Sequence, residues 1–222
     1  MRTNVRTFCK VCADSFNLPE PIYEFGSFCY PDQKELADMR PFFKGKEYVG
    51  CDVREGHNVD RVENLERLNL KDSSIGTAVV LETMEHVEDI QKAFKELYRV
   101  LKPGGVLIVA SPFIFPIHDL PNDYWRFTPK ALSFLMKDFS VKLLGTHADP
   151  IMPHTVYGIG FKATAKDEVT KNSDKFIKDF TNASMRKKKF SYELSLFLKG
   201  LMRGKEYVEN VRKRHIVKFD FF

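Results

Sequence analysis

The chain has no apolar run that approaches the roughly 20 residues that a helix needs to span a membrane. Its N-terminus also lacks the apolar segment of a secretory signal peptide. Neither secretion nor a transmembrane anchor is indicated, and we expect a cytoplasmic protein. With 222 residues, 43% of them hydrophobic, the chain can bury a full core in one domain of about 150–170 residues plus an appendage.

Cysteine is scarce, with four residues at positions 9, 12, 29 and 51. Cys9 and Cys12 form a Cys-x-x-Cys pair, which could be half of a zinc site or a redox motif. A structural zinc needs four ligands, and no second pair and no histidine cluster at metal spacing follows. We therefore expect ordinary buried thiols and no metal site.

The glycine-rich fingerprint G-x-G-x-x-G is also absent. After the first predicted strand the sequence runs Gly26-Ser27-Phe28-Cys29. Because the fingerprint supplies backbone donors to the pyrophosphate of a dinucleotide, its absence argues against such a cofactor. A cofactor without phosphates would tolerate the loss.

The middle of the chain predicts a βαβ unit. Unbroken apolar runs at 78–81 and 106–110 are typical of parallel strands that helices cover on both faces. Between them, apolar residues repeat every three or four positions and predict a helix that starts near Asp89. Lys102-Pro103-Gly104-Gly105 ends this helix, because proline cannot continue it and glycine supplies the turn.

Further elements complete an alternating series of strands and helices. Thr128 and Pro129 predict the N-cap and first position of a helix over 130–139. The other predictions are a helix over 33–43 and strands at 22–27, 46–52, 62–65 (weak), 141–144 and 159–164. Five strands alternating with helices, with two more at one edge, predict a doubly wound sheet that binds ligands at the carboxyl ends of its strands.

The last part of the chain is strongly basic. Residues 171–222 contain 14 Lys and Arg against 6 Asp and Glu, whereas the whole chain has a net charge of +5. We expect a domain over 1–168, with an N-terminal helix in 1–20, and a basic extension of amphipathic helices over 169–222. The clusters at 186–189 and 212–214 are either solvated helix faces or contacts to an anionic membrane or a second copy of the chain.

Several motifs together resemble one enzyme family. EFGS, YVGCD, EHV, RVLKPGG and DYWRFTP, spread over about residues 20–165, resemble the class I S-adenosylmethionine (SAM)-dependent methyltransferases, particularly the type 11 group. The resemblance implies a Rossmann-like sheet of seven mostly parallel strands with helices on both faces, followed here by the basic helical extension. It also implies SAM as the cofactor and S-adenosylhomocysteine as its product.

The resemblance assigns cofactor-binding roles to residues at the strand ends. Asp52 matches the acid that binds the ribose hydroxyls, and His86 belongs to the motif after the fourth strand, although it could instead be a helix-start histidine bonded to the backbone. The motif with Gly26 keeps only one of its usual glycines, and Asn64 stands where an acid is usual. The full set implied is Glu24, Gly26, Ser27, Asp52, Asn64, Leu65, Glu82 and His86.

The loop after the fifth strand holds the candidate acceptor site. His118 would suit a general base for a hydroxyl acceptor, with Asp123 as the second candidate, or it could be a loop histidine that caps a turn. Tyr124, Trp125 and Arg126 could wall a pocket for a sugar or another acceptor. Alternatively, Arg126 pairs with Asp123, and Trp125 seals the edge of the domain.

These observations favour methylation of an oxygen on a sugar, a glycan precursor or another small molecule. One alternative is a non-catalytic scaffold of the same fold that binds a partner or a membrane through its basic tail. A third interpretation, an RNA methyltransferase, depends only on the charge of the tail, because no RNA-binding aromatic motif accompanies it.

Overall fold

The computed structural model describes residues 1–149, 151–185 and 217–221. Within these ranges a single sheet carries helices on both faces. The strands are β1 (Ile22–Phe25), β2 (Tyr48–Asp52), β3 (Arg61–Val62), β4 (Ile75–Leu81), β5 (Leu101–Pro112), β6 (Val141–Ala148), β7 (Pro153–Phe161) and β8 (Val217–Phe221). The helices are α1 (Thr3–Ser15), α2 (Lys34–Ala37), α3 (Ile90–Val100), α4 (Pro129–Leu135) and α5 (Lys166–Met185).

The strand order is β3-β2-β1-β4-β5-β7-β6-β8. Strands β1 to β5 pair in parallel, while β7, β6 and β8 pair antiparallel at one edge. The predicted doubly wound sheet is therefore confirmed. The direction of winding reverses between β1 and β4, and a crevice at the carboxyl ends of these two strands is where such sheets bind ligands.

Two apolar layers cover the sheet. On one face, α1 and α5 pack through Phe8, Phe176 and Phe180 around the buried Tyr157. On the other face, α3 and α4 bury Leu97 and Leu132 in a second cluster. Burial on both faces explains why the central strands read as continuous apolar runs.

The first turns of α3 and α4 form as the sequence predicts. The Asp89 carboxylate accepts a hydrogen bond from the Lys92 N–H at 3.0 Å and caps α3. The Thr128 hydroxyl accepts from the Ala131 N–H at 3.1 Å, with Pro129 in the first turn of α4. Each cap satisfies a backbone donor that has no partner inside its helix.

Three elements differ from the sequence predictions. The helix expected over 33–43 is only the four-residue α2, with short 3-10 turns on both sides. The segment after α3 passes directly into β5 at Leu101, so the predicted turn at 102–105 is an irregularity in the pairing with β4. In addition, an eighth strand, β8, comes from the extension that was expected to be helical, and it pairs with β6.

The boundary expected at 168/169 falls inside α5, whose Phe176 and Phe180 belong to the same core as α1. The sequence of β8, Val217-Lys218-Phe219-Asp220-Phe221, alternates apolar and polar residues, which is the two-residue period of a strand. The basic clusters at 186–189 and 212–214 lie outside the described residues.

No helix in the described ranges combines the length and apolar character needed to cross a membrane.

Candidate functional site

A cleft opens at the carboxyl edge of the sheet, beside the ends of β1, β2 and β4. We call it the switch-point cleft. It has a volume of about 370 Å³, within the range of small-molecule sites. Its lining comprises Phe25, Gly26, Asp52, Val53, Glu63, Asn64, Leu65, Glu66, Thr83, His86, Val87, Glu88, Asn122 and Tyr124.

Gly26 is required for the floor of the switch-point cleft. Its backbone has φ +88°, a conformation that residues with a side chain rarely adopt. A Cβ at this position would lie 2.0 Å from the Thr83 Oγ1 atom. The single glycine left from the family's first motif is therefore the one that lets the chain pass close to the loop after β4.

Asp52 lies at the end of β2 with its side chain buried in the cleft wall. One carboxylate oxygen accepts from the Phe28 N–H at 3.3 Å, and the other accepts from the backbone N–H and the Nε of Arg54, both at 3.1 Å. These contacts fix the carboxylate at the position where the family's ribose-binding acid is expected.

Asn64 and Leu65 also lie in the switch-point cleft. The structure adds Glu63, a buried acid that sequence reasoning missed. Its carboxylate pairs with Arg61 and accepts from the Asn69 N–H at 2.8 Å. Glu63 stands directly after strand β3 and beside Asn64, and this position in the sequence could have identified it. Glu63 supplies an acid next to the position where Asn64 replaces the usual one.

Three expected cofactor residues, Glu24, Ser27 and Glu82, do not line the cleft. The side chain of Glu24 lies on the opposite face of the sheet, because successive strand residues alternate and Phe25 takes the cleft side. Its carboxyl accepts from the Tyr48 hydroxyl at 2.6 Å, and burial raises its pKa to about 7. Ser27 is buried and donates to the Asn58 carbonyl oxygen at 3.0 Å.

A second cavity of about 370 Å³ lies under the loop after β5, and we call it the loop cavity. Its lining includes Glu82, Glu85, His86, Phe115 and His118. Because His86 also lines the switch-point cleft, the two spaces meet at its side chain. This arrangement would place a cofactor and an acceptor on either side of one histidine.

His118 is oriented by a buried acid. Asp123, whose side chain is fully buried, accepts from the His118 backbone N–H at 2.9 Å and lies 3.1 Å from Nδ1 of the His118 ring. Arg126 donates to both Asp123 oxygens, at 2.5 and 2.8 Å. These hydrogen bonds, above all the one from Arg126, hold the pKa of Asp123 well below its ordinary range, which makes its carboxylate a weak base and a fixed partner for His118.

The remaining aromatic and charged residues of this loop are placed differently from the expected acceptor wall. Tyr124 lines the switch-point cleft, whereas Trp125 and Arg126 line neither cavity. The Trp125 indole N–H donates to the Val87 carbonyl oxygen at 2.7 Å. The alternative in which Arg126 pairs with Asp123 agrees with this geometry.

Glu82 and Glu85 follow β4 on the side of the loop cavity. Glu82 has φ +53° and pairs with Arg2, whose backbone N–H also donates to it at 3.0 Å. Glu85, which sequence reasoning did not single out, is completely buried, and burial raises its pKa to about 8. Glu82 therefore lines the loop cavity and not the cleft where it was expected.

Comparison with known proteins supports the sequence resemblance. Residues 38–109 match the family model described as "Methyltransferase domain", the type 11 methyltransferases. A ubiquinone/menaquinone biosynthesis C-methyltransferase, UbiE, from Haemophilus ducreyi is 36% identical over 86 residues, 36% of this chain and 33% of that protein. A probable SAM-dependent methyltransferase from Mycolicibacterium smegmatis is 37% identical over 81 residues, 36% of this chain and 27% of that protein. The match thus spans about a third of the length of these curated relatives.

Solved structures share the fold at low sequence identity. A SAM-dependent methyltransferase from Thermotoga maritima has a TM-score of 0.52 and 23% identity, over 71% of this chain and 91% of that one. A Burkholderia thailandensis 1,6-didemethyltoxoflavin N1-methyltransferase with S-adenosylhomocysteine bound has a TM-score of 0.52 and 14% identity, over 73% and 79%. The fold is that of the class I SAM-dependent methyltransferases. Within this class, residues 38–109 are similar to the type 11 methyltransferases.

SAM is the cofactor of this class, and the residues of the switch-point cleft fit it. The position of Gly26, which a Cβ would block, allows close approach of the backbone. Asp52 would accept hydrogen bonds from the ribose hydroxyls, and Leu65 would offer an apolar surface to the adenine. No pyrophosphate-binding loop is needed, because SAM has no phosphate.

Proposed function

We propose that the protein transfers a methyl group from SAM to a hydroxyl oxygen of a small acceptor, such as a sugar or a glycan precursor. The observation that carries the proposal is the junction of the two spaces: a cleft with Gly26 and Asp52 meets, at His86, a cavity that contains His118. We place the cofactor in the switch-point cleft and the acceptor in the loop cavity.

His118 is the base in this proposal. Its Nδ1 faces oxygens of Asp123 and Pro116, so this nitrogen carries the ring proton and Nε2 keeps a free lone pair. SAM supplies a methyl group on a sulfonium, which needs no further activation. As the acceptor oxygen bonds to the methyl carbon and the carbon–sulfur bond breaks, Nε2 of His118 takes the hydroxyl proton. Most of the remaining catalysis would be positioning.

A second candidate is methylation of a carbon atom. The observation that favours it is that curated relatives such as the Haemophilus ducreyi protein are named C-methyltransferases of ubiquinone and menaquinone biosynthesis. The two candidates differ in the bond that forms, so the fragmentation of a labelled product by mass spectrometry separates a methyl ether from a methylated ring. Contacts of residues 171–222 with a membrane or a second copy of the chain remain a separate proposal.

The cofactor claim is tested by calorimetry. We expect SAM and S-adenosylhomocysteine to bind to the protein, and Asp52→Ala to weaken binding by about 1–3 kcal/mol, the scale of a lost hydrogen bond to a charged group. Glu24→Gln is the matched control, because Glu24 is a buried acid of the neighbouring strand that does not line the cleft. Absence of binding by either ligand at millimolar concentration would refute the proposal.

A further inference from the structure

We propose that Glu85, His86 and His118 bind a divalent transition-metal ion, with Zn²⁺ as the test case, in the loop cavity. One ligand atom from each of the three residues lies within 4.8 Å of the others. Two histidines and one carboxylate form a common ligand set of catalytic zinc sites, in which a fourth position stays open. Tetrahedral ligands at about 2.1 Å from the ion lie about 3.4 Å apart, so side-chain rotations would close the site.

The surroundings of both histidines support ligation. Nδ1 of His86 lies 2.7 Å from the Asn122 carbonyl oxygen, and Nδ1 of His118 lies 3.1 Å from Asp123 Oδ2. A ring nitrogen that faces an oxygen acceptor carries the proton, which leaves the Nε2 lone pair of each ring available. Metal-binding histidines are typically oriented in this way, by a carbonyl oxygen or a carboxylate that accepts from the other ring nitrogen.

The side chain of Glu85 has an oxygen atom that could bind a cation. Its side chain is completely buried, and its Oε1 atom has no hydrogen-bond partner among the described residues. Its other oxygen accepts from the Ser111 hydroxyl, at 3.1 Å. Among the described residues, no arginine donates a hydrogen bond to the Glu85 side chain: Arg2 pairs with Glu82 and Arg126 with Asp123. A bound metal ion would supply a charged partner for the buried Oε1 atom.

The metal site was not visible in the sequence. Glu85 and His86 are adjacent, but His118 follows 32 positions later, so no ligand spacing marks the set. The expectation of no metal came from the cysteines, which are all buried in the structure. Only the return of the loop after β5 over the end of β4 places the three side chains together.

The metal site refines the proposed function and depends on it for the identity of the acceptor. An acceptor hydroxyl on the open position of the ion would lose its proton more easily, because a bound cation lowers the pKa of a coordinated oxygen. The proton would pass to solvent, the oxygen would bond to the methyl carbon, and the carbon–sulfur bond would break. Nε2 of His118 would then hold the ion in place of taking the proton.

Metal binding is measured on the full chain without SAM. After treatment with a chelator, we expect calorimetry with ZnCl₂ to show one ion per chain, and Co²⁺ to show the visible absorption of a site with nitrogen and oxygen ligands. Loss of a residue that only orients a metal ligand lowers metal affinity about 10–100-fold. Loss of a ligand itself, in Glu85→Gln, His86→Asn or His118→Asn, should lower the Zn²⁺ affinity at least as much. His57→Asn, which changes an exposed histidine outside the cluster, should bind as the unaltered protein does.

Two outcomes overturn the metal proposal. One is Zn²⁺ affinity that is the same in the unaltered protein and in the three variants, and the other is no binding by the unaltered protein. Thermal unfolding of each metal-free variant shows whether a loss of binding reflects a loss of fold. SAM binding in the same samples keeps the two proposals distinct, because a protein that binds SAM and not Zn²⁺ retains the proposed function and loses only the metal site.

Discussion

At the residue scale, the buried carboxyl groups show that a match to a sequence motif does not determine where a side chain lies. Glu24 matches a cofactor motif in the sequence, yet its carboxyl lies under the sheet with the Tyr48 hydroxyl as its partner. Asp52, only one strand away, lies in the cleft. The difference comes from the two-residue period of a strand, which sends adjacent side chains to opposite faces.

Glu24 should make the stability of the protein depend on pH. Burial raises its pKa to about 7 in the folded state, against about 4.3 in an unfolded chain. The folded state therefore holds the proton more tightly. The contribution of Glu24 protonation to the free energy of unfolding is complete below about pH 4.3. It is lost as the pH rises to about 7, a change on the order of 3 kcal/mol.

Urea unfolding at pH 5 and pH 8 checks this prediction. Glu24→Gln keeps a neutral partner for Tyr48 and removes the titration. The difference in unfolding free energy between variant and unaltered protein should therefore shift in favour of the variant from pH 5 to pH 8. Glu47→Gln, at an exposed position, controls for the loss of a charge on its own. An equal difference at both pH values would show that Glu24 does not titrate in this range.

At the scale of the elements, local chemistry fixes where helices begin. Thr128 caps α4, the helix that follows the acceptor loop. Thr128→Ala should lower the free energy of unfolding by about 0.5–2 kcal/mol, because the Ala131 N–H loses its acceptor. Chemical denaturation measures the change.

The same substitution inside a helix gives the matched control. Thr170 lies exposed within α5, and alanine has the higher helix propensity, so Thr170→Ala should leave stability unchanged or raise it slightly. If both variants lost the same amount, the effect at Thr128 would come from the removal of a threonine and not from the cap.

At the scale of the whole molecule, we expect the extension and the domain to unfold as one unit, because α5 packs into the core of the domain. Phe176 and Phe180 of α5 contact Phe8 of α1, and all three are completely buried. Phe176→Ala should cost about 3–5 kcal/mol, the usual range for a fully buried aromatic residue. Lys178→Ala, exposed on the same helix, should change the unfolding free energy by no more than about 0.5 kcal/mol.

A single cooperative transition in both variants would agree with one folding unit. Two separate transitions would instead support the independent extension that the sequence suggested. In that case Phe176→Ala would affect only the transition of the extension. Circular dichroism and tyrosine or tryptophan fluorescence, followed in the same denaturant series, distinguish these outcomes.

Patterns within short stretches of the sequence predict the elements that depend on neighbours along the chain. The apolar runs of β4 and β5, the cap residues Asp89 and Thr128, and Asp52 at the end of β2 all follow from short-range patterns. The resemblance of the motifs to those of SAM-dependent methyltransferases predicted the cofactor. These features are local, because strand period, helix capping and turn formation involve residues a few positions apart.

The tertiary structure alone decided which side chains meet. It turned Glu24 away from the cleft, buried Glu85 against Ser111, and brought His118 to His86, with ring centres 4.8 Å apart. It also made the alternating segment of β8 an edge strand beside β6. Such contacts depend on how the loops and strands return in space, and no pattern within the separate segments encodes that distance.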